Sequence, residues 1–327
     1  MIDPTTGDDV VDVLSLLNPS LLNQKVLDHG FVRILDCMPR LVPARDCDFA
    51  LADAARISYQ KGTRKVSADA GLVDHLIRNR HTSPIEMGEL KFHLRMPIFV
   101  MRQHVRHRMA SMNEESARYS ELASDFYIPS PEHWAVNTAA NKQATVQGNV
   151  TPEQAKRLHQ WLLDHNEQSY ALYEKLLAGD VCEFDGIRTD IPGIAREQAR
   201  MVLGVNIYTQ CIWKIDLKNL LHYLSLRCDA HAQFEIRALA EPIRKVVAAL
   251  FPGAWASFQD HFMDGVNLGR SEIEIVRALL GTGDALSMAR ALGWTGRRAG
   301  EFATKVRRTQ LVPDAALHGF LLAMQTP

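Results

Sequence analysis

The most informative stretch of this 327-residue chain is residues 102–119, RQHVRHRMASMNEESARY. It places four arginines within 17 positions. Gln103, Arg106 and His107 are three and four residues apart, so on a helix their side chains converge near its end. Guanidinium groups there offer paired donors for phosphate oxygens or for the carbonyls of a planar ring. Residues 111–116 follow as a predicted irregular polar loop. From composition alone, the stretch is compatible with a polar binding segment between a helix and a loop, or with a solvated basic helix end followed by a polar turn.

Outward from this stretch, helix and strand patterns are interspersed. Residues 88–95 alternate between apolar and polar, as a half-buried strand does, and Pro97 suits the first turn of the helix that leads into residue 102. Thr151 and Gln154 form a capping-box pair, which predicts a helix running to about residue 177. Similar patterns predict helices at 49–59, at 68–80 and from 217, and a β-rich segment at 205–215. We therefore expect a fold of the α/β class.

The predicted helix from residue 217 combines an apolar stripe with two polar borders. Leucines and Cys228 form the stripe at about 100° per residue. Lys218 and His222 fall along one border, whereas Arg227 and His231 fall along the other if the helix continues that far. One helix could thus touch two ligands.

Composition excludes several classes of protein. Lys plus Arg number 37 against 38 Asp plus Glu, so the overall charge does not favour nucleic acid or an anionic membrane as a partner. No apolar run approaches the roughly 18 residues of a membrane span. The five cysteines form no CxxC pair, and we interpret them as reduced thiols of a cytoplasmic protein. His104, His107 and His231 are spaced as metal ligands could be, but neighbouring arginines would repel a cation, so no metal is expected.

The order of residues in 102–119 resembles a known signature. Arg106-His107-Arg108, seven residues, then Ser116 reproduces the motif of the flavin-dependent thymidylate synthases, the ThyX family. Glu114, Arg118 and Tyr119 also match that family's longer pattern. Further similarity extends over residues 25–131 and 196–236, including the sequences around Ser58, His81, Ser83, Arg200 and Arg227.

The resemblance implies an α+β fold with a mixed sheet flanked by helices, and a homotetramer whose active sites are shared between subunits. It implies conversion of dUMP to dTMP, with 5,10-methylenetetrahydrofolate as the carbon donor and NADPH-reduced FAD as the hydride source. The residues expected to contact FAD are Ser58, His81, Ser83, Arg106, His107, Arg108, Glu114, Lys218 and His222. The residues expected to contact dUMP are Gln103, Arg106, Glu114, Ser116, Ala117, Arg118, Arg200 and Arg227.

The sequence departs from the family pattern at several positions. Asp216, Lys218 and His222 stand where several members have Asn, Arg and Asn, and Ala117 replaces a common Gly. The region 130–190 appears as a longer insertion than in compact members. We expect residues 1–265 to form the synthase domain and 266–327 a helical C-terminal extension.

Methylation at C5 of uracil requires electron density at that carbon, and one route adds a cysteine thiolate at C6. The motif contains no cysteine, and Cys228 is predicted to face the core. The expected catalytic residue is therefore Arg227, which would stabilise negative charge on the N3 and O4 region of uracil.

Two other functions remain open from the residues alone. One is a flavin-dependent methyltransferase acting on uracil within RNA. The other is a non-enzymatic nucleic-acid-binding protein that uses residues 102–118 and a basic cluster in the tail, although a solvated helix face is the preferred interpretation of that cluster. The clustered residues are Arg297, Arg298, Lys305, Arg307 and Arg308.

Overall fold

A computed structural model describes residues 10–43, 46–58, 69–137, 145–147, 150–184, 187–281 and 283–325. The chain divides into two compact units, Met1–Ala256 and Ser257–Pro327. The end of the predicted helix at 49–59, the first residue of the one at 68–80 and part of the 130–150 segment lie outside the described residues.

Eleven strands occur in the described residues, and all belong to the first unit. They are β1 Val10–Asp12, β2 Asn23–Val26, β3 Gly30–Met38, β4 Leu41–Pro43, β5 Glu89–Pro97, β6 Ser111–Glu114, β7 Ala135–Asn137, β8 Thr145–Gln147, β9 Asp180–Phe184, β10 Ile187–Ile191 and β11 Tyr208–Asp216.

Five strands form the main sheet in the order β2-β3-β5-β11-β6. All four of its pairings are antiparallel, which corrects the expected mixed sheet while the α+β class with flanking helices is confirmed. The alternation of apolar and polar residues along β5 is typical of an antiparallel sheet, because the strands of parallel sheets are covered on both faces and lack that alternation. Three short hairpins, β1-β4, β7-β8 and β9-β10, lie outside this sheet.

Helices flank the sheet in the first unit and make up the regular structure of the second. They are α1 Pro19–Leu22, α2 Asp48–Arg56, α3 Asp69–Arg78, α4 Thr82–Ile85, α5 Ile98–His104, α6 Pro152–Ala178, α7 Arg196–Ala199, α8 Leu217–Arg227, α9 Phe234–Leu250, α10 Pro252–Phe258, α11 Arg270–Leu280, α12 Ala285–Ala291, α13 Gly296–Thr309 and α14 Asp314–Gln325. No helix of the described ranges is long and apolar enough to cross a membrane.

Local capping fixes where two important helices begin. At the start of α6, Gln154 N donates to Thr151 Oγ1 at 3.3 Å and Thr151 N donates to Gln154 Oε1 at 2.9 Å, which confirms the predicted capping box. Asn219 N donates to Asp216 Oδ1 at 2.9 Å at the start of α8. These side chains satisfy backbone donors that the first helical turn leaves unpaired.

The end of α8 differs from the extended helix considered from sequence. The helix stops at Arg227 with Cys228 as its C-cap, and His231 lies outside it. His231 N donates to Asp229 Oδ1 at 2.7 Å, and this local turn competes with helical hydrogen bonding. Arg227 and His231 therefore do not share a helix face.

The core of the first unit lies between the sheet and the helices α8 and α9. Phe92 of β5 and Trp213 of β11 are buried, with ring centroids 6.1 Å apart. Leu217, Leu220, Leu221 and Leu224 form the buried stripe of α8 as predicted. Because β11 pairs within the sheet and α8 buries its leucine stripe in this core, the position of α8 relative to β11 is fixed.

Candidate active site

The arginine-rich segment lies beside α8. The predicted helix ends at His104, and residues 105–110 form the connection from α5 to the edge strand β6. Because β6 pairs with β11 and β11 leads directly into α8, the connection is brought next to that helix. Between them is a cavity of about 550 Å³ lined by Arg106, His107, Arg108, Met109, Ile215, Asn219, His222, Leu226 and Arg227.

The lining of this cavity favours an anionic, partly planar ligand. It carries three guanidinium groups and no carboxylate, and Met109, Ile215 and Leu226 add apolar surface. A larger cavity of about 800 Å³ contains Asp28, Glu167 and Glu174 in its lining. Those carboxylates would repel a phosphate, and none of the predicted site residues lines that cavity.

His107 holds Arg227 in place. Arg227 Nε donates to His107 Nε2 at 3.0 Å, and Arg227 Nη2 donates to the carbonyl oxygen of Gln103 at 3.5 Å. Burial, together with the nearby Arg227 and His222, lowers the pKa of His107 to about 4. The ring is therefore neutral at pH 7 and accepts the Arg227 hydrogen bond, with its own proton on Nδ1.

A buried aromatic cluster supports His107 from behind. The ring centroid of His107 lies 4.7 Å from that of Tyr223, and the ring centroid of Tyr223 lies 5.2 Å from that of Trp213. His104 Nδ1 is 3.3 Å from the Tyr223 hydroxyl, and its ring is 4.4 Å from Trp213. Burial lowers the pKa of His104 to about 3, with smaller effects from His107 and Arg227. Packed rings thus restrict the side chain that orients Arg227.

These two imidazoles give the fold an acid-sensitive stability. Both pKa values lie below the ordinary 6.5, so their contribution is complete above pH 6.5 and is lost as the pH falls toward 4 and then 3. We expect the urea midpoint of unfolding to fall across this range, and His107→Gln to reduce the dependence on pH. Identical pH dependence in the wild-type protein and the variant would contradict this role for His107.

A second group of predicted residues meets around Glu197. Arg118 Nε donates to Glu197 Oε2 at 3.1 Å, and Arg200 Nε donates to the Glu197 carbonyl oxygen at 3.2 Å. Arg118 N also donates to Ser116 Oγ at 3.3 Å, and Ala117 is buried between these two residues. The structure thus places the predicted nucleotide-side residues 116–118 and Arg200 at one exposed corner. Glu197 was missed from sequence because no local pattern links it to residue 118.

The polar segment before this corner is a strand. Residues 111–116 were expected to be an irregular loop, but Ser111–Glu114 pairs with β11 as the edge of the sheet, so that prediction was wrong. The pairing of β6 with β11 is made by backbone groups, which the sequence does not reveal. The side chains of β6 are mostly exposed, so the segment has no alternation of apolar and polar residues that would predict a strand. Glu114 Oε1 accepts from Thr209 Oγ1 at 2.9 Å, which fixes a residue expected to contact both ligands.

Five of the nine expected flavin contacts do not line this cavity: Glu114, Lys218, Ser58, His81 and Ser83. The last three lie on other elements. Ser58 follows α2, His81 precedes α4 and Ser83 lies within α4, and all three are exposed. Gln103, an expected dUMP contact, donates a hydrogen bond from its side-chain Nε2 to Gln233 Oε1.

On α8, His222 lines the cavity, and Lys218 Nζ donates to Asn219 Oδ1 at 3.2 Å. Asn219 also donates through Nδ2 to Asp216 Oδ2 at 2.7 Å. Asn219 was not predicted to line the cavity, although it lies three positions before His222, on the same side of the helix.

Comparisons with known proteins decide the family. A family described as "Thymidylate synthase complementing protein" matches residues 40–253. A flavin-dependent thymidylate synthase of Rickettsia bellii is 43% identical over 256 residues, covering 78% of this chain and 84% of the relative. One from Ruegeria pomeroyi is 42% identical over 283 residues, covering 86% of this chain and 87% of the relative. The chain belongs to the flavin-dependent thymidylate synthase family.

A solved structure agrees with this membership in the flavin-dependent thymidylate synthase family. The UMP/dUMP methylase PolB of Streptomyces cacaoi, bound with 5-Br dUMP, superposes with a TM-score of 0.59 at 29% identity. It covers 72% of this chain and 97% of its own. The resemblance seen in residues 102–119 is therefore confirmed at the level of family and fold.

FAD, the flavin of this family, suits the cavity beside α8. Its pyrophosphate needs cations, which Arg106 and Arg108 provide, and its flat ring system needs apolar surface, which Met109 and Leu226 provide. The residues present therefore fit the cofactor.

Proposed function

We propose that this chain converts dUMP to dTMP, with 5,10-methylenetetrahydrofolate as carbon donor and FAD reduced by NADPH. The observation that carries the proposal is the Arg227 guanidinium at the wall of a cationic cavity, held by a neutral His107. Family membership supplies the reaction class, and the site geometry supports the roles proposed below for individual residues.

Arg227 is the proposed catalytic residue. Its Nε and Nη2 atoms donate to protein groups, and Nη1 has no hydrogen-bond partner within the described part of the chain. A guanidinium fixed in this way can aim the remaining donors at N3 and O4 of uracil. Negative charge that develops there during attack from C5 is thereby stabilised without reorganisation of the site.

The cysteine next to Arg227 does not suit nucleophilic catalysis. Burial raises the pKa of the Cys228 thiol to about 12, so the thiol is protonated at pH 7. The same cause raises the pKa of Cys211 on β11 to about 12. All five cysteines are free thiols. Activation of uracil in this enzyme relies on electrostatics and not on a thiolate adduct.

The nucleotide-side residues hold dUMP. Arg118 and Arg200 at the Glu197 corner supply donors for the 5′-phosphate, and Ser116 adds a hydroxyl. The other proposed contacts are Gln103, Arg106, Glu114 and the backbone at Ala117.

The flavin-side residues of the same chain are Arg106, His107, Arg108, Glu114, Lys218 and His222. Reduced FAD supplies hydride when bound, which is required because the folate donates a methylene group and the product carries a methyl group.

We further propose a cytoplasmic homotetramer with shared active sites. Ser58, His81 and Ser83 do not line the cavity of their own chain, and each is exposed. Large apolar side chains beside the site residues are also exposed, with Ile57 at 89%, Met109 at 70% and Met201 at 77%. Such apolar exposure is typical of surfaces that a partner covers. Native mass spectrometry of the FAD-bound protein would test the subunit number.

The decisive test of function is anaerobic incubation with FAD, NADPH, methylenetetrahydrofolate and dUMP, following flavin absorbance and dTMP together. Flavin reoxidation coupled to dTMP formation is expected. UMP is the matched alternative substrate, because PolB is described as a UMP/dUMP methylase. Flavin binding with product only on RNA would support the RNA methyltransferase instead, and no flavin binding would refute both enzymes.

Arg200 should contribute mainly to binding of dUMP. Loss of one charged contact to phosphate is worth roughly 1.5–3 kcal/mol, so Arg200→Ala is expected to raise the Kd for dUMP about 10- to 100-fold while FAD stays bound. The matched control is Arg196→Ala, because Arg196 is an exposed arginine at the start of α7, the short helix that Arg200 caps, and it pairs with Glu121 at 3.0 Å. Equal Kd values for the two variants would contradict the phosphate role.

A further inference from the structure

A buried carboxylate lies at the start of α9. Glu235 is only 7% exposed and belongs to the first turn of the helix, where the helix dipole favours a negative charge. Its Oε1 accepts from the Tyr127 hydroxyl at 3.2 Å, and its Oε2 accepts from Gln233 Nε2 at 2.8 Å. An apolar side chain would suit a core position at a lower cost, because a carboxylate gives up its hydration there. The groups that Glu235 binds therefore indicate what it does.

Glu235 determines which end of the Gln233 amide faces it. A carboxylate only accepts hydrogen bonds, so Gln233 must turn Nε2 toward it. Tyr127 donates from the other side, because burial and the nearby Glu235 raise the pKa of its hydroxyl and keep it protonated. Gln233 is the N-cap of α9, but its side chain makes no capping bond. That side chain is used instead to connect Glu235 with a second amide.

The second amide is that of Gln103 on α5. Because Nε2 of Gln233 faces Glu235, its Oε1 faces the other way and accepts from Gln103 Nε2. Gln103 Oε1 is then left over, and it has no partner in the described part of the chain. We call Glu235, Gln233 and Gln103 the amide relay. One buried carboxylate thus dictates, across two amides, that Gln103 offers an acceptor and not a donor.

The amide relay ends beside the proposed uracil-binding group. The backbone carbonyl oxygen of Gln103 accepts from Arg227 Nη2 at 3.5 Å. The nucleotide dUMP has two hydrogen-bond donors, N3–H of the base and the 3′-hydroxyl of the sugar, whereas its carbonyl and phosphate oxygens accept. In the proposed function Arg227 takes N3 and O4, and Arg118 and Arg200 take the phosphate. The 3′-hydroxyl is the donor that remains for Gln103 Oε1.

We propose that Glu235 and Gln233 are positioning residues that orient Gln103 to accept a hydrogen bond from the 3′-hydroxyl of dUMP. The inference rests on the proposed function and adds to it two residues that act through Gln103. An acceptor held in this way rejects a nucleotide whose 3′ group cannot donate, because two acceptors then face each other without a hydrogen bond. The amide relay therefore selects for a free 3′-hydroxyl.

A nucleotide with fluorine in place of the 3′-hydroxyl tests the direction of the amide relay. Fluorine is close in size to a hydroxyl group but has no proton to donate. The experiment measures the Kd values of dUMP and of 3′-fluoro-2′,3′-dideoxyuridine 5′-monophosphate by isothermal titration calorimetry of the full FAD-bound protein. The wild-type protein is expected to bind the fluoro analogue about tenfold more weakly than dUMP, or weaker still.

Glu235→Gln is expected to reverse the amide relay. The new amide keeps its oxygen on the Tyr127 hydroxyl and turns its nitrogen toward Gln233, so both following amides turn over and Gln103 offers Nε2 to the nucleotide. A hydroxyl can accept that bond, and the fluoro analogue no longer meets an acceptor. We expect the Kd of dUMP to change less than about threefold, while tighter binding of the analogue reduces the preference to about twofold. A loss of structure alone would not tighten binding.

Two further variants complete the test. Gln233→Met breaks the amide relay at an exposed position and leaves the buried carboxylate in place, so it should also reduce the preference for dUMP, even if Glu235→Gln does not fold. Glu272→Gln changes a glutamate that is 2% exposed but belongs to the second unit, and it should keep the wild-type preference.

Three results would overturn the amide relay while leaving the proposed function standing. These are an unchanged preference in both relay variants, an equal weakening of the two nucleotides in those variants, or equal Kd values of the two nucleotides for the wild-type protein. If the wild-type protein does not bind dUMP at all, the proposed function itself is refuted, and the amide relay with it.

Discussion

Replacing Arg227 with alanine is expected to reduce dTMP formation by about 10²- to 10³-fold, the usual cost of removing one preorganised donor from a developing negative charge. FAD should remain bound, because Arg106 and Arg108 still line the cavity. The measurement is single-turnover dTMP formation beside the flavin spectrum of the purified variant.

Two controls separate charge from geometry at this position. Arg227→Lys keeps the cation but loses the Nε donor to His107, so we expect activity between those of the wild-type and alanine proteins. Arg102→Ala removes an exposed arginine of α5 and should leave turnover within about twofold of the wild type. Full turnover by Arg227→Ala would refute the uracil-activation role.

The largest expected effect on stability is at Trp213. This residue is 1% exposed on β11 and contacts Phe92, His104 and Tyr223. Truncation to alanine would leave a cavity that a sheet strand cannot close, so we expect a loss of about 3–5 kcal/mol in the free energy of unfolding. Chemical denaturation followed by far-ultraviolet circular dichroism would measure it.

Trp161 provides the matched control for this substitution. It lies on α6 and is 60% exposed, so Trp161→Ala should cost less than about 0.5 kcal/mol. Equal losses for the two variants would show that the ring cluster behind His107 does not carry the stability assigned to it.

Local patterns were sufficient where the physical cause is itself local. The capping box at Thr151 and the leucine stripe of α8 were predicted because capping and helical spacing involve residues within a few positions of each other. The strand β6 was mistaken for a loop because its pairing with β11 depends on residues about a hundred positions away. The expected mixed sheet was wrong for a different reason, because it came from the family resemblance, whereas the alternation within β5 is typical of an antiparallel sheet.

The sequence by itself determined the family, because the order of residues in 102–119 is a specific signature, and it determined the positions of helices α2, α3, α5, α6 and α8. Only the tertiary structure decided that His107 is a neutral acceptor for Arg227, and that Arg118 and Arg200 meet at Glu197. It also decided that Arg298 and Lys305 of α13 pair with the buried Glu272. These features depend on burial and on distances between distant parts of the chain, because desolvation and hydrogen bonding act through space and not along the sequence.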